Sequence, residues 1–218
     1  TDASMSNIGS GTTPGGTSLH MTSHIFTRVG SWEESIDYNV RSADAAWNQP
    51  INGATSHHHL HAVDYLAYAY LQPGQDDRAE EILDHLVALD GPIYDHAGSA
   101  YAFAAVEARI ALERQDWPRA AAVEPRWPAT VNWVLYPHLE AIPEFARALG
   151  AAHTGDVEAA QRSVARLGEL RAQAAALPDA YDWGIQVQIQ EVGARAWIAY
   201  AAERTDEAVE LMTEAATL

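Results

Sequence analysis

The chain has 218 residues, of which 48% are hydrophobic, so it is long enough and apolar enough to bury a sizeable core. Thirty acidic residues against 13 basic ones give a formal net charge of -17, which repels nucleic-acid phosphates and anionic lipid surfaces and argues against both as partners. Because the chain contains no cysteine, disulfides, thiolate nucleophiles and cysteine-based metal sites are excluded.

The first residues carry no targeting pattern, and no later stretch approaches the roughly 20 apolar residues that a membrane span needs. The sequence therefore predicts a soluble protein, cytoplasmic by default. The chain begins with Thr1 and ends within a helical pattern, from which we expect it to be a piece of a longer protein. Residues 1–16 are rich in Ser, Thr and Gly and are predicted to form a flexible leader.

From residue 17 to residue 218 the chain is rich in alanine, with apolar residues at helical spacing and no strand-length run of alternating β-branched residues. This pattern predicts one all-α domain. A junction of a small or polar turn followed by an acidic helix start recurs about every 40 to 48 residues, a spacing typical of helical-hairpin repeats. The five copies are VGSWEES from Val29, PGQDDRA from Pro73, RQDWPRA from Arg114, TGDVEAA from Thr154 and ERTDEA from Glu203.

Each junction predicts two antiparallel helices, because glycine relaxes the turn and an acidic residue interacts favourably with the dipole of the new helix. Pro137 and Pro143 lie near or within a predicted helix, where we expect a kink or a late start. The first helices of the pairs are predicted at 19–29, 57–71, 97–114, 138–153 and 182–204, and the second at 32–46, 76–88, 117–123, 157–176 and 206–218.

Two segments resemble the tetratricopeptide repeat (TPR) family. One is LAYAYLQPG from Leu66, followed by Ala79 and Ile82. The other, LHMTSHIFTRVGSW from Leu19, looks like long bacterial members of that family, in which we expect proline where Thr22 stands. The resemblance implies an α-solenoid of about five antiparallel helical hairpins. It also implies a concave face, lined by the first helices, that binds a protein or peptide, and it implies no catalytic activity.

Eight residues of the predicted first helices are candidates to line such a groove. Tyrosine combines apolar area with a hydrogen-bonding tip, arginine grips carboxylates, and glutamine amides suit an extended backbone. Ordinary structural roles compete with these: tyrosines that pack on the next hairpin, an Arg109–Glu113 pair within one helix, and solvated glutamines. The eight candidates are Tyr65, Tyr68, Tyr101, Arg109, Arg147, Trp183, Gln186 and Gln190.

Histidines form two pairs with four-residue spacing, His20 with His24 and His57 with His61. Each pair lies on one helical face, and side-by-side first helices would bring both pairs to one zinc or other divalent transition metal, with Asp64 as a further ligand or as a residue that orients one. Chance pairing competes with this interpretation, since the chain contains 10 histidines and the run from His57 to His59 can be a solvated helix start.

The sequence leaves three functions open. The first is a scaffold for a protein or peptide, and the second is a metal-binding protein or metal-dependent hydrolase built on the histidine pairs. The third is a spacer or dimerisation segment between neighbouring domains. We predict no catalytic residues, because the chain has no G-x-S-x-G elbow and no glycine-rich phosphate loop between a strand and a helix.

Overall fold

A computed structural model describes residues 16–218, with side chains described from His20 onward. The predicted leader at 1–16 therefore lies outside the described residues, apart from Gly16, which begins the first helix. The regular secondary structure of the described residues consists of ten α-helices and a short 3-10 turn at Trp133–Leu135. The helices are α1 (Gly16–Val29), α2 (Trp32–Trp47), α3 (His57–Leu71), α4 (Asp76–Ala88), α5 (Ala97–Glu113), α6 (Trp117–Ala121), α7 (Pro137–Thr154), α8 (Val157–Ala175), α9 (Trp183–Ala201) and α10 (Thr205–Thr217).

The all-helical prediction is confirmed for residues 16–218, where the only extended pairing is two isolated bridges, Ile51 with Ala54 and Thr55 with Ile93. Every predicted helix is present, with ends that shift by a few residues. Pro137 begins α7 as its first residue, one position earlier than predicted, where its missing N–H costs nothing. None of the described helices combines the length and apolar character that crossing a bilayer requires.

All five junctions found in the sequence share one backbone structure. Each places one residue in the left-handed region, with φ between 53° and 84°, at Gly30, Gly74, Gln115, Gly155 and Glu203. In each, the next N–H bonds the carbonyl five residues back at 2.9 Å, as in Asp156 to Ala151 and Arg204 to Ala199. This is the Schellman motif, which satisfies carbonyls that the ending helix leaves without partners. The internal repeat is therefore a repeat of structure as well as of sequence.

At two of the five junctions an aspartate of the sequence pattern caps the new helix. Asp116 accepts from the backbone N–H of Arg119, and Asp156 accepts from that of Ala159 at 2.9 Å. Asp182 and Ser56 cap α9 and α3 in the same way, outside the repeated junctions. A side-chain oxygen at this position satisfies one of the N–H groups that the first helical turn leaves without a partner.

Contacts divide the chain into two compact units. Unit 1 comprises the described part of Thr1–Ala102 together with Pro128–Val131. Within it α1 packs on α2, α2 on α3 and α3 on α4, and α1 also contacts α3. The contact between α1 and α3 matters most here, because it brings the two first helices of successive hairpins side by side.

Unit 2 comprises Phe103–Trp127 and Asn132–Leu218. Consecutive helices from α6 to α10 pack on one another, and α7 also contacts α9. One of its core clusters contains Leu149, Leu167, Leu170 and Val187, all buried. Each unit therefore repeats the same scheme of sequential packing plus contact between alternate helices. A single repeat domain over 17–218 stays a prediction.

The junctions allow a matched test of backbone strain. An alanine Cβ at Gly155 would meet nothing within 4 Å, so Gly155→Ala costs only the left-handed φ of 84°. We expect a loss of about 1–2 kcal/mol in the free energy of unfolding. At the equivalent position Glu203→Gly removes that strain and should raise stability by up to about 1 kcal/mol, after the entropy cost of glycine. Urea unfolding followed by circular dichroism measures the stability change of each variant. A Gly155→Ala protein as stable as wild type would contradict the left-handed conformation at this junction.

Candidate metal centre

Three histidines meet in unit 1 at the contact between α1 and α3. His20 and His24 lie one turn apart on α1, and His61 faces them from α3. The ring centroid of His20 lies 4.6 Å from that of His24 and 4.5 Å from that of His61. One nitrogen from each ring can be chosen so that all three lie within 4.8 Å of one another. The structure thus brings three of the five predicted metal residues together.

A chain of hydrogen bonds fixes the tautomers of the first two rings. His20 Nδ1 lies 2.8 Å from Asn39 Oδ1, and since that oxygen only accepts, Nδ1 carries the proton. His20 Nε2 therefore presents a lone pair, into which His24 Nε2–H donates at 2.9 Å. The Tyr65 hydroxyl then donates to His24 Nδ1 at 3.1 Å. Both imidazoles are held neutral and in defined orientations.

Asn39 on α2 is the anchor of this chain. Its side chain is fully buried, and its amide nitrogen donates to the Ser35 carbonyl at 2.8 Å, which assigns Oδ1 to the histidine side. Ser23 Oγ, also buried, lies 2.9 Å from Asn39 Oδ1. Sequence reasoning missed Asn39, although Ser35 and Asn39 are polar residues one turn apart on an otherwise amphipathic helix.

His61 has a buried nitrogen without a partner. Its Nδ1 makes no hydrogen bond, although buried side-chain nitrogens almost always have one. A bound ion or an ordered water at this position satisfies such an atom. Among the three histidines, His61 is therefore the one whose buried ring nitrogen receives no hydrogen bond from the protein itself.

Burial keeps all three imidazoles neutral at pH 7. It lowers the pKa of His20 to about 4, although the hydrogen bond with Asn39 and the charge of Asp64 raise that pKa, and the neighbouring His61 and His24 lower it as well. Burial, with the nearby His24, also lowers the pKa of His61 to about 4. The pKa of His24 is lowered by burial and by Arg28. Neutral imidazole is the form that coordinates metals.

The other two predicted metal residues lie beside the three histidines. The His57 ring stacks on His96 with 3.9 Å between centroids and lies equally close to His58. Asp64 is 2% exposed, and its charge raises the pKa of His20. Neither belongs to the group that places three nitrogens within metal reach in the described part of the chain.

The predicted groove residues fall into both units. In unit 1, Tyr65 bonds His24, and the Tyr68 ring packs edge-on against Trp32 at 5.6 Å. Tyr101 is half-buried on α5, in the part that belongs to unit 1.

In unit 2, Arg147 donates to the Val123 carbonyl at 2.7 Å and pairs with Glu144. The Trp183 ring stacks on His138, with 4.0 Å between centroids. Arg109 is half-buried, Gln186 is exposed, and Gln190 Oε1 is buried without a hydrogen-bond partner. A peptide groove made by the eight residues stays a prediction.

No family model, no curated protein and no solved structure matches this chain. The resemblance to TPR proteins therefore rests on the two sequence segments quoted above, and the site must be interpreted from its own geometry.

The lowered histidine pKa values predict a specific loss of stability in mild acid. A histidine whose pKa falls from 6.5 to about 4 on folding binds fewer protons in the folded state than in the unfolded state below about pH 6.5. The free energy of unfolding therefore has its full value above about pH 6.5 and declines as the pH falls towards 4. We expect the urea midpoint, measured with EDTA present, to fall between pH 7 and pH 5. His61→Gln should flatten this decline, and a midpoint independent of pH over that range would contradict it.

Proposed function

We propose that this protein binds a divalent transition metal through His20, His24 and His61. The observation that carries the proposal is the convergence of three neutral imidazoles, one of which has a buried nitrogen without a hydrogen-bond partner. Imidazole is the usual ligand of Zn²⁺, Cu²⁺ and Ni²⁺ in proteins. Asn39 fixes the orientation of His20 as a supporting carbonyl or amide oxygen does in metal sites.

Metal binding requires only a small proton rearrangement. The His24 Nε2 proton, which now bonds His20, moves to His24 Nδ1, and the Tyr65 hydroxyl changes from donor to acceptor. Both rings stay neutral, and the two Nε2 lone pairs then face the cation. Tyr65 thus supports either tautomer of His24, which makes it a positioning residue for the site.

The spacing of His20 and His24 fits a metal with small adjustments. His20 Nε2 and His24 Nε2 are 2.9 Å apart. Nitrogens bound at about 2.0–2.1 Å are about 2.9 Å apart at a right angle and about 3.3 Å apart in a tetrahedron. Side-chain movements of a few tenths of an ångström therefore suffice for this pair, and His61 completes the set with a ring nitrogen within 4.8 Å of both.

Three protein ligands leave at least one coordination position for water or substrate. A closed structural zinc site uses four protein ligands, whereas sites with three are typical of catalysis. Metal-assisted hydrolysis therefore lies within the chemistry of this arrangement, because a bound cation lowers the pKa of its water. Asp64, buried next to His20, is the nearby carboxylate that such a centre offers.

We propose further that the helical hairpins stack as TPR-like repeats within each unit. The five equivalent Schellman junctions and the contacts between alternate helices, α1 with α3 and α7 with α9, support this. In a stack of this kind the first helices form the inner face, where a peptide would bind. Binding of a protein or peptide at that face is the second candidate function.

Metal analysis of protein purified without an affinity tag tests the site. After incubation with Zn²⁺ and removal of loosely bound metal, we expect close to one zinc per chain in wild type. His24→Gln and His61→Gln should lose it, because glutamine keeps a hydrogen-bonding amide but is a poor ligand. Asn39→Ala should weaken zinc affinity about 10- to 100-fold.

His153→Gln is the matched control, because His153 is an exposed histidine stacked on Trp117 at 3.8 Å, outside the predicted site. Its zinc content should equal that of wild type. Circular dichroism confirms that each variant is folded. Zinc retained in full by both His24→Gln and His61→Gln would refute the proposal.

A further inference from the structure

Unit 1 contains a second pair of facing imidazoles, outside the residues assigned so far. His59 on α3 and His85 on α4 lie with their Nε2 atoms 2.8 Å apart. His59 Nδ1 lies 2.9 Å from the Ala43 carbonyl oxygen, which only accepts, so Nδ1 carries the proton. The lone pair of His59 Nε2 therefore faces His85, which donates its own Nε2–H.

This arrangement repeats the design of the first site. There Asn39 Oδ1 holds the Nδ1–H of His20, and His24 faces it at 2.9 Å. Here Ala43, one turn further along α2, holds the Nδ1–H of His59. One face of α2 thus fixes an α1 histidine and an α3 histidine in the same tautomer. An imidazole whose Nδ1–H bonds a carbonyl and whose Nε2 is free is the usual form of a metal-ligating histidine.

The surroundings of the pair suit a partly accessible cation. His59 is buried, whereas His85 is half-buried, so water reaches the site from the α4 side. Asp44 is the carboxylate whose charge acts on His59, and it favours positive charge there. Burial lowers the pKa of both histidines, which keeps them neutral at pH 7. The Trp47 ring lies 4.9 Å from His59 and 5.6 Å from His85 and covers one side.

We propose that His59 and His85 form a second metal site, a two-imidazole site that takes Cu²⁺ in preference to other divalent transition metals. Two nitrogens bound to a tetragonal Cu²⁺ at about 2.0 Å and a right angle are about 2.8 Å apart, the separation found here. On binding, the His85 Nε2 proton moves to Nδ1 of the same ring, which stays neutral, so that both Nε2 atoms offer a lone pair. Copper also forms the strongest complexes of the divalent first-row series. Water fills the remaining positions, so this site binds more weakly than the three-histidine site.

The competing role is a hydrogen bond that only ties α3 to α4. His85→Gln separates the two roles, because the glutamine amide still donates to His59 Nε2 but ligates metal poorly. A purely structural pair predicts no change in copper binding for this variant. A metal site predicts the loss of one copper ion while the metal-free variant remains folded by circular dichroism.

The experiment is a titration of tag-free, metal-free protein with CuCl₂, with glycine present to suppress binding at single histidines. Bound copper is counted by equilibrium dialysis, and tryptophan fluorescence is recorded in parallel. We expect two copper ions in wild type and one in His85→Gln. Trp47→Phe should keep both ions and lose the fluorescence quenching that accompanies the weaker one, because Cu²⁺ at the pair lies beside that indole. His153→Gln, the same control as before, should match wild type.

Different outcomes of this experiment would refute the two proposed sites. If only the three-histidine site is wrong, wild type binds one copper ion, His85→Gln abolishes it, and His24→Gln with His61→Gln leaves it unchanged. If wild type and His85→Gln bind equal amounts of copper, or if quenching persists in full in Trp47→Phe, the second site is overturned whatever happens at the first.

Discussion

Asn39 accepts a hydrogen bond from His20 and donates one to the Ser35 carbonyl, and its side chain has no exposed surface. A buried amide or imidazole without partners costs several kcal/mol, so these bonds must form whenever α1, α2 and α3 pack together. They therefore set the rotation of α1 relative to α2 as well as the tautomer of His20. Because α1 also contacts α3, the same constraint determines which histidines of α1 and α3 face each other.

The imidazoles of unit 1 combine burial with close contact between their ring nitrogens. Burial lowers the pKa of His20 and His61 to about 4 and so keeps both rings neutral at pH 7. Facing imidazoles must share one proton between two basic atoms, and a divalent cation can take the place of that proton without a charged partner. The formal net charge of -17 favours cations near the chain in general, but the specific attraction comes from the lone pairs.

Local chemistry made most of the fold predictable, whereas contacts between helices made part of the site unpredictable. The residues of the junction at Gly155 and Asp156 are enough to predict its structure, because a left-handed glycine ends one helix and an aspartate caps the next. The four-residue spacing of His20 and His24 likewise placed both on one face of α1. The facing of His59 and His85 depends on the register of α3 against α4, which no sequence spacing encodes. The same holds for Asn39, since only the packed structure shows that its helix turns that side chain towards α1.

The segment Pro128–Val131 returns to unit 1 although the chain on both sides of it belongs to unit 2. Thr130 makes the return specific, since its hydroxyl accepts from the Ile93 N–H at 2.9 Å and lies 3.0 Å from the Ile93 carbonyl oxygen. The two units are thus interlaced along the sequence, and no single cut divides one from the other. A shortened chain that stops after Ala102 would keep every histidine of both proposed sites but would lose the two hydrogen bonds between Thr130 and the Ile93 backbone. Unit 1 is better excised with residues up to 131 retained.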